Sequence, residues 1–419
     1  MTTAIAQHRS GALWPWAVFS GMIAAAGLPI YIQAPKFYVD EYGVGLAALG
    51  VVLGGLRLLD VIQDPILGWL ADVGRTRRGS LVALAALVMT AALWCLFAVE
   101  PLLPPLLWFA VCLAALFTAF SFLTITLYAH GVETASRLGA NGFLNLAAWR
   151  ESGALAGICI AAVAPVALAS YVSQPFTAFV TGFAVIAAIA VLLMRNEWAG
   201  AARAQTTPSL RDAQRAWADP LVRRLLILAL VNAAPAAITS TLFLFFVEYR
   251  IGAPSYAGPF LLLFFVSAAL SATGWSRAAA IWGEKRVLLA AMSVAIGSFI
   301  WAIGLSTGEL AAFATICVVS GLAMGADLTL LPALFSRRLS KAHKGSEALA
   351  FGMWSFVSKL SLALAAITML PLLQMGGFST DSGTGAKNLW MLSLLYAGVP
   401  CVFKLLSLGL LARTDLSRV

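Results

Sequence analysis

Long apolar runs separated by short polar turns dominate this chain. Runs near 12–37, 45–70, 80–99, 103–128, 143–170, 174–194, 221–248, 257–280, 287–306, 309–335, 347–374 and 388–412 stand out. Each approaches the ~20 residues that carry a helix across a ~30 Å hydrocarbon core. In lipid only helices and closed barrels satisfy their own backbone hydrogen bonds, and these runs are too long and continuous for barrel strands. The pattern predicts an all-α membrane protein with twelve transmembrane helices. The longest polar stretch, RNEWAGAARAQTTPSLRDAQRAWADP (Arg195 to Pro220), follows the sixth run and divides the chain nearly in two. It predicts an N-terminal six-helix bundle over 1–195, a cytosolic linker over 196–220 and a C-terminal six-helix bundle over 221–419. A short amphipathic helix is expected in the linker around Leu210 to Trp217. Two bundles so joined are the layout of a two-lobed carrier, with a solute site near the midplane between lobes.

Composition supports the class. Of 419 residues 61% are hydrophobic and 11% charged, and mean hydropathy is +0.91; soluble domains carry roughly 25% charge. The net charge of +9 is a matter of topology. With the N-terminus in the cytoplasm, Arg75, Arg77, Arg78, Arg137, Arg195, Arg203, Arg211, Arg215, Lys285, Arg286, Arg337, Arg338, Lys341 and Lys344 fall on the cytoplasmic side. The opposite loops hold only Lys36, Arg250 and Lys387. This asymmetry fits the positive-inside rule. It predicts a multi-pass protein of the inner membrane with both termini cytoplasmic and no nucleic-acid partner. The cysteines are scattered singly through apolar runs, without metal-ligand spacing. His8, His130 and His343 are placed at or outside the membrane boundary, so no metal site or cofactor is expected.

The polar residues inside the apolar runs carry the chemistry. In RLLDVIQDPILGW, Arg57, Asp60, Asp64 and Gly68 share one face of a helix, with Gln63 on its flank. A charge at bilayer depth costs about 2.5 to 3.5 kcal/mol on insertion scales. Two acids one turn apart cannot both stay ionised there without Na⁺, a proton or Arg57 to compensate. Loading such a site changes its charge and can bias a rocking equilibrium; a static Arg–Asp pair that glues helices is the alternative. Asp72, with Arg75 and Arg78, ends the same helix and could latch a cytoplasmic gate.

Helix four offers Ser121, Thr124 and Tyr128. Helix five carries Arg150, which either neutralises the helix-two acids or binds a polar solute group. Glu151 follows it but points about 100° away on a helix, so it need not be its partner. In the second half the isolated charges are Asp327 and Lys359 on successive helices. Asp327 is the expected partner of Lys359, and Lys359 is expected to open into the central cavity, with Trp354 lining it. Lys404 lies nearer a helix end, where it can snorkel.

RLLDVIQDPILGWLADVGRTRRG resembles the signature of the glycoside-pentoside-hexuronide:cation symporters, the melibiose-permease branch of the major facilitator superfamily. FYVDEYGVG, FFVEYRIGAPSYAG and SEALAFGMWSFVSKLSLALAA agree in order and spacing. The resemblance implies a major facilitator fold and alternating access that couples a sugar or sugar-like solute to Na⁺, H⁺ or Li⁺. It implies that Asp60, Asp64 and Gln63 match the cation-site acids and amide, and Ser121 a hydroxyl ligand. Arg150 and Lys359 then match basic residues of the central cavity. The branch also has a sugar-gripping acid on helix one and another on helix four. Here helix one reads GMIAAAGLPIYIQAP and helix four offers Thr124; the acidic stretch after helix ten is replaced by SRRLSKAHKG. These departures favour a less hydroxylated or amphipathic solute, and a lysolipid carrier is the alternative reading. A non-transporting membrane receptor or an integral enzyme ranks lower, because no nucleophile–base set, metal cluster or phosphate loop appears. A monomer is expected.

Overall fold

A computed structural model describes residues 12–139, 141–199, 218–342, 346–375 and 386–415. Most of the expected linker, its amphipathic helix, His8 and His343 lie outside the described residues. The first half comprises α1 (Trp14–Ala25), α2 (Leu28–Tyr42), α3 (Leu46–Val73), α4 (Arg78–Phe97), α5 (Pro105–Arg137), α6 (Gly142–Leu168) and α7 (Pro175–Ala199). The second comprises α8 (Pro220–Phe245), α9 (Ala257–Trp282), α10 (Glu284–Phe299), α11 (Leu310–Ala342), α12 (Glu347–Met375), α13 (Ala386–Ser393) and α14 (Val399–Arg413). Among the described residues there is no strand.

Among the described residues ten stretches are long and apolar enough to cross a membrane, against twelve expected runs. Two local facts account for the difference. Ala48–Phe97 forms one continuous stretch through the second and third runs. The first run breaks between α1 and α2, where Pro29 occupies the first turn of α2; proline needs no N–H there. At the break, a Cβ on Gly27 would come within 2.9 Å of the Phe120 ring, so α5 packs tightly against the bend. Elsewhere helices outrun the apolar stretches: α5 and α11 each have 33 residues, about 50 Å at 1.5 Å per residue. They project beyond the hydrocarbon on the face that carries the basic loops, here called the basic face.

The buried apolar residues form two clusters. One fills the N-terminal lobe and continues through Leu225, Leu334, Phe335 and Phe351 into the basic half of the C-terminal lobe. The other stays in the far half of the C-terminal lobe, around Phe246, Phe313 and Tyr396. The lobes therefore share a core on the basic side. In the far cluster two π-helical turns, Phe246–Ile251 and Leu394–Gly398, meet through Phe246 and Tyr396, whose rings stack at 4.0 Å.

Candidate functional site

Three helices converge on the acids of α3. Lys359, midway along α12, points its ammonium across the lobe boundary into them. Nζ lies 3.0 Å from Asp60 Oδ1 and 2.9 Å from Asp64 Oδ2. It donates to Asp64 Oδ1 at 3.0 Å and to Ser121 Oγ of α5 at 2.7 Å. Ser121 in turn donates to Asp60 Oδ1 at 3.2 Å. The Gln63 amide donates to Asp60 Oδ1 at 3.0 Å, while its oxygen accepts from Thr118 at 2.9 Å. Gln63 thus orients Asp60 with its N–H, and its oxygen is already engaged. The side chain of Arg57 lies outside the described residues.

The geometry explains why the acids are tolerated. Asp64 is 0% exposed and Asp60 8%, and a buried charge persists only when paired and hydrogen-bonded. One ammonium answers two carboxylates among the described side chains. Pro65 follows Asp64 inside α3 and cannot donate the next backbone hydrogen bond. Opposite it α12 comes very close: a Cβ on Gly352 would lie 2.6 Å from the Asp64 carbonyl oxygen, and one on Gly68 2.5 Å from that of Ala348.

About 12 Å further along α3, eight residues at 1.5 Å each, the lobes are latched. Asp72, 2% exposed, accepts from the backbone N–H groups of Ala348 at 3.1 Å and Leu349 at 2.8 Å. A side chain of one lobe therefore caps the first turn of α12 in the other, where helix N–H groups lack partners. Arg75 bridges Glu133 of α5 and Glu347 of α12. Arg78 turns back into its own lobe, with Nη1 2.7 Å from His130 Nδ1 and Nη2 3.2 Å from Glu133. His130 is itself buried, stacked 5.5 Å from Trp16 and tilted 4.9 Å from Trp198. Glu133 and Glu347 were not anticipated; their spacing to His130 and to the start of α12 was the only available signal. Tyr128 and Phe351 also meet across the lobes, edge to face at 5.2 Å.

The other expected cavity residues separate into two groups. Arg150 pairs with Glu151 at 2.9 Å, and Tyr128 donates to the same carboxylate at 2.6 Å while its ring lies 3.5 Å under the guanidinium. Arg150 therefore neutralises its sequence neighbour and not the α3 acids. Its long side chain folds back across the divergence of adjacent helical positions. Arg150 Nη2 and Thr124 Oγ1 are buried and unpartnered. Trp354 stands half-buried, 4.9 Å from Phe335.

The expected Asp327–Lys359 pair does not form. Asp327 pairs with Lys404 of α14, which also donates to Asn232 at 2.8 Å. Lys404 is 5% exposed, so it does not snorkel. Inside one lobe α14 reaches Asp327, whereas Lys359 faces the other lobe.

A family model described as MFS/sugar transport protein matches residues 17–418. The chain belongs to this family. It is thus a transporter of the major facilitator superfamily, built to move small molecules and not to catalyse a reaction. Among curated proteins no sequence matches it. Solved structures share the fold. A bacterial homologue of the iron transporter ferroportin, in an outward-facing state, superposes with a TM-score of 0.70 at 14% identity, covering 94% of this chain and 99% of the other. The human organic anion transporter MFSD10 (TETRAN) superposes with a TM-score of 0.64 at 14% identity, covering 95% and 98%. At such identities the fold is what is shared. Within this family frame the α3–α12 seam is a lobe boundary, and the Asp60–Asp64–Lys359 cluster sits in it.

Proposed function

We propose that the chain is a cation-coupled symporter that moves a small organic, sugar-like solute across the inner membrane, with its basic face toward the cytoplasm. The observation that supports this is the ammonium of Lys359 held by Asp60, Asp64 and Ser121. It stands where a monovalent cation would be liganded by the same oxygens. A cation or proton arriving at the acids removes the reason for Lys359 to stay, and with it an ion pair that joins the lobes. Differential occupancy then biases the rocking equilibrium, as coupling requires. The unpartnered Arg150 Nη2 offers a donor for an acceptor group on the solute. The closed basic face fits a carrier waiting for solute from the other side.

Uptake of candidate solutes into proteoliposomes tests the reading. Uptake should rise with an inward Na⁺ or H⁺ gradient and lose that dependence in Asp60→Asn and Asp64→Asn. Gradient-independent uptake that both variants leave unchanged would sink it.

A further inference from the structure

Arg277 occupies an unusual surface for an unpaired cation. Along α9 it shares a stripe with Leu270 and Ile281, which are 74% and 76% exposed. On a membrane-spanning helix, large apolar side chains so exposed face acyl chains. Arg277 is exposed too, and it has no hydrogen bond or ion pair with any described residue. Across the seam, Asn145 and Trp149 lie on the stripe of α6 that carries exposed Ile160 and Val163. Asn145, Ala148, Trp149, Thr273, Ser276 and Arg277 together line one recess between α6 and α9. Asn145 and Thr273 likewise hold no side-chain partner among the described residues.

Depth sharpens the point. Asn145 lies just inside the start of α6 and Arg277 a little over one turn from the end of α9. At 1.5 Å per residue both are about 5–8 Å from the basic-face helix ends. That is the level of headgroups and upper acyl chains, where Trp is favoured. An arginine buried more deeply would cost several kcal/mol.

We propose that this recess binds the phosphate of an anionic phospholipid in the leaflet of the basic face. The Arg277 guanidinium supplies a planar donor fork suited to phosphate oxygens. Asn145 and Thr273 donate further hydrogen bonds, and Trp149 packs beside the glycerol. Basic pockets between membrane helices on the cytoplasmic side recognise lipid headgroups by the same chemistry. Asn145 belongs to one lobe, and Thr273 and Arg277 to the other. A phosphate held by all three therefore ties the lobes together at a second place on the basic face, between α6 and α9, beside the latch on α3 and α12. Lipid binding favours the closed basic face by its differential affinity.

The test is thermal unfolding of the full-length protein in detergent, with phosphatidylglycerol, phosphatidylcholine or inorganic phosphate added, since a ligand of the native state raises the midpoint. Phosphatidylglycerol should raise the wild-type midpoint by several degrees, and the other two should not. Arg277→Gln and Asn145→Ala should each lose at least half of that rise, and Arg277→Lys should keep part of it. An equal rise with phosphatidylcholine, or a full rise in both Arg277→Gln and Asn145→Ala, would show an arginine that merely snorkels among headgroups, and the site would be abandoned. An equal rise with inorganic phosphate would assign the recess to a soluble anion and overturn the lipid reading. If Arg277→Gln does not fold, Asn145→Ala, which changes no charge, decides by native mass spectrometry. Undiminished retention of phosphatidylglycerol would then refute the proposal, and its loss would support it.

Discussion

Lys359 Nζ, from the C-terminal lobe, lies 2.9 Å from Asp64 Oδ2 in the N-terminal lobe, and Asp64 has no exposure to solvent. One ammonium thus serves both as counter-ion to a buried acid and as a tie between the two lobes.

Replacing that ammonium isolates its role. Lys359→Met leaves two buried carboxylates without it, and removing one partner of a buried pair costs about 3–5 kcal/mol. The unfolding midpoint should fall in choline buffer at neutral pH. It should recover in Na⁺, or at low pH, by more than the wild type gains. Equal gains in both proteins would show that the cation does not take the place of the lysine.

The latch predicts a conformational shift. Asp72→Ala removes the acceptor for two helix N–H groups, and losing a cap costs about 1 kcal/mol. The basic face should open in a larger fraction of molecules. Spin labels at Arg137 and Arg286, on different lobes, should report a longer mean distance than in the parent protein. An unchanged distance distribution would remove Asp72 from the gate.

Close approach predicts a steric lock. A Cβ at position 68 would meet the Ala348 carbonyl at 2.5 Å, and backbone cannot yield as a flexible side chain does. Gly68→Leu should fold and insert but fail to close its basic face. The expected readout is lost transport with retained expression and the same lengthened label distance.

The second buried pair should behave as structural. Asp327→Asn or Lys404→Met alone strands a buried charge and should cost about 3–5 kcal/mol, whereas Asp327→Leu with Lys404→Met should recover most of it. Thermal unfolding of the three variants measures this. Coupled uptake in a folded double variant should keep its cation dependence. Loss of that dependence would bring the pair into the coupling chemistry.

Legibility in the sequence followed the range of the forces involved. The spans were readable because lipid demands about 20 consecutive apolar residues per crossing; the first run, broken between α1 and α2, is the exception. The Asp60–Asp64 stripe was readable because both acids sit on one helix, where period alone sets their direction. The partner of Lys359 was not. Asp327 is its neighbour in helix order, but the lysine faces the other lobe and Lys404 takes Asp327. Arg150 misled in the opposite way, since adjacency on a helix suggested divergence and a long, folded side chain overcame it. The break between α1 and α2 packs against Phe120, almost a hundred residues away.

By itself the sequence determined a helical membrane protein in two halves and an acidic stripe too costly to be incidental, since hydrocarbon solvation acts on each helix separately. Only the tertiary structure decided which charges meet and where the lobes seal. Those outcomes depend on the packing of helices distant in sequence, and no periodicity along one helix encodes its neighbour.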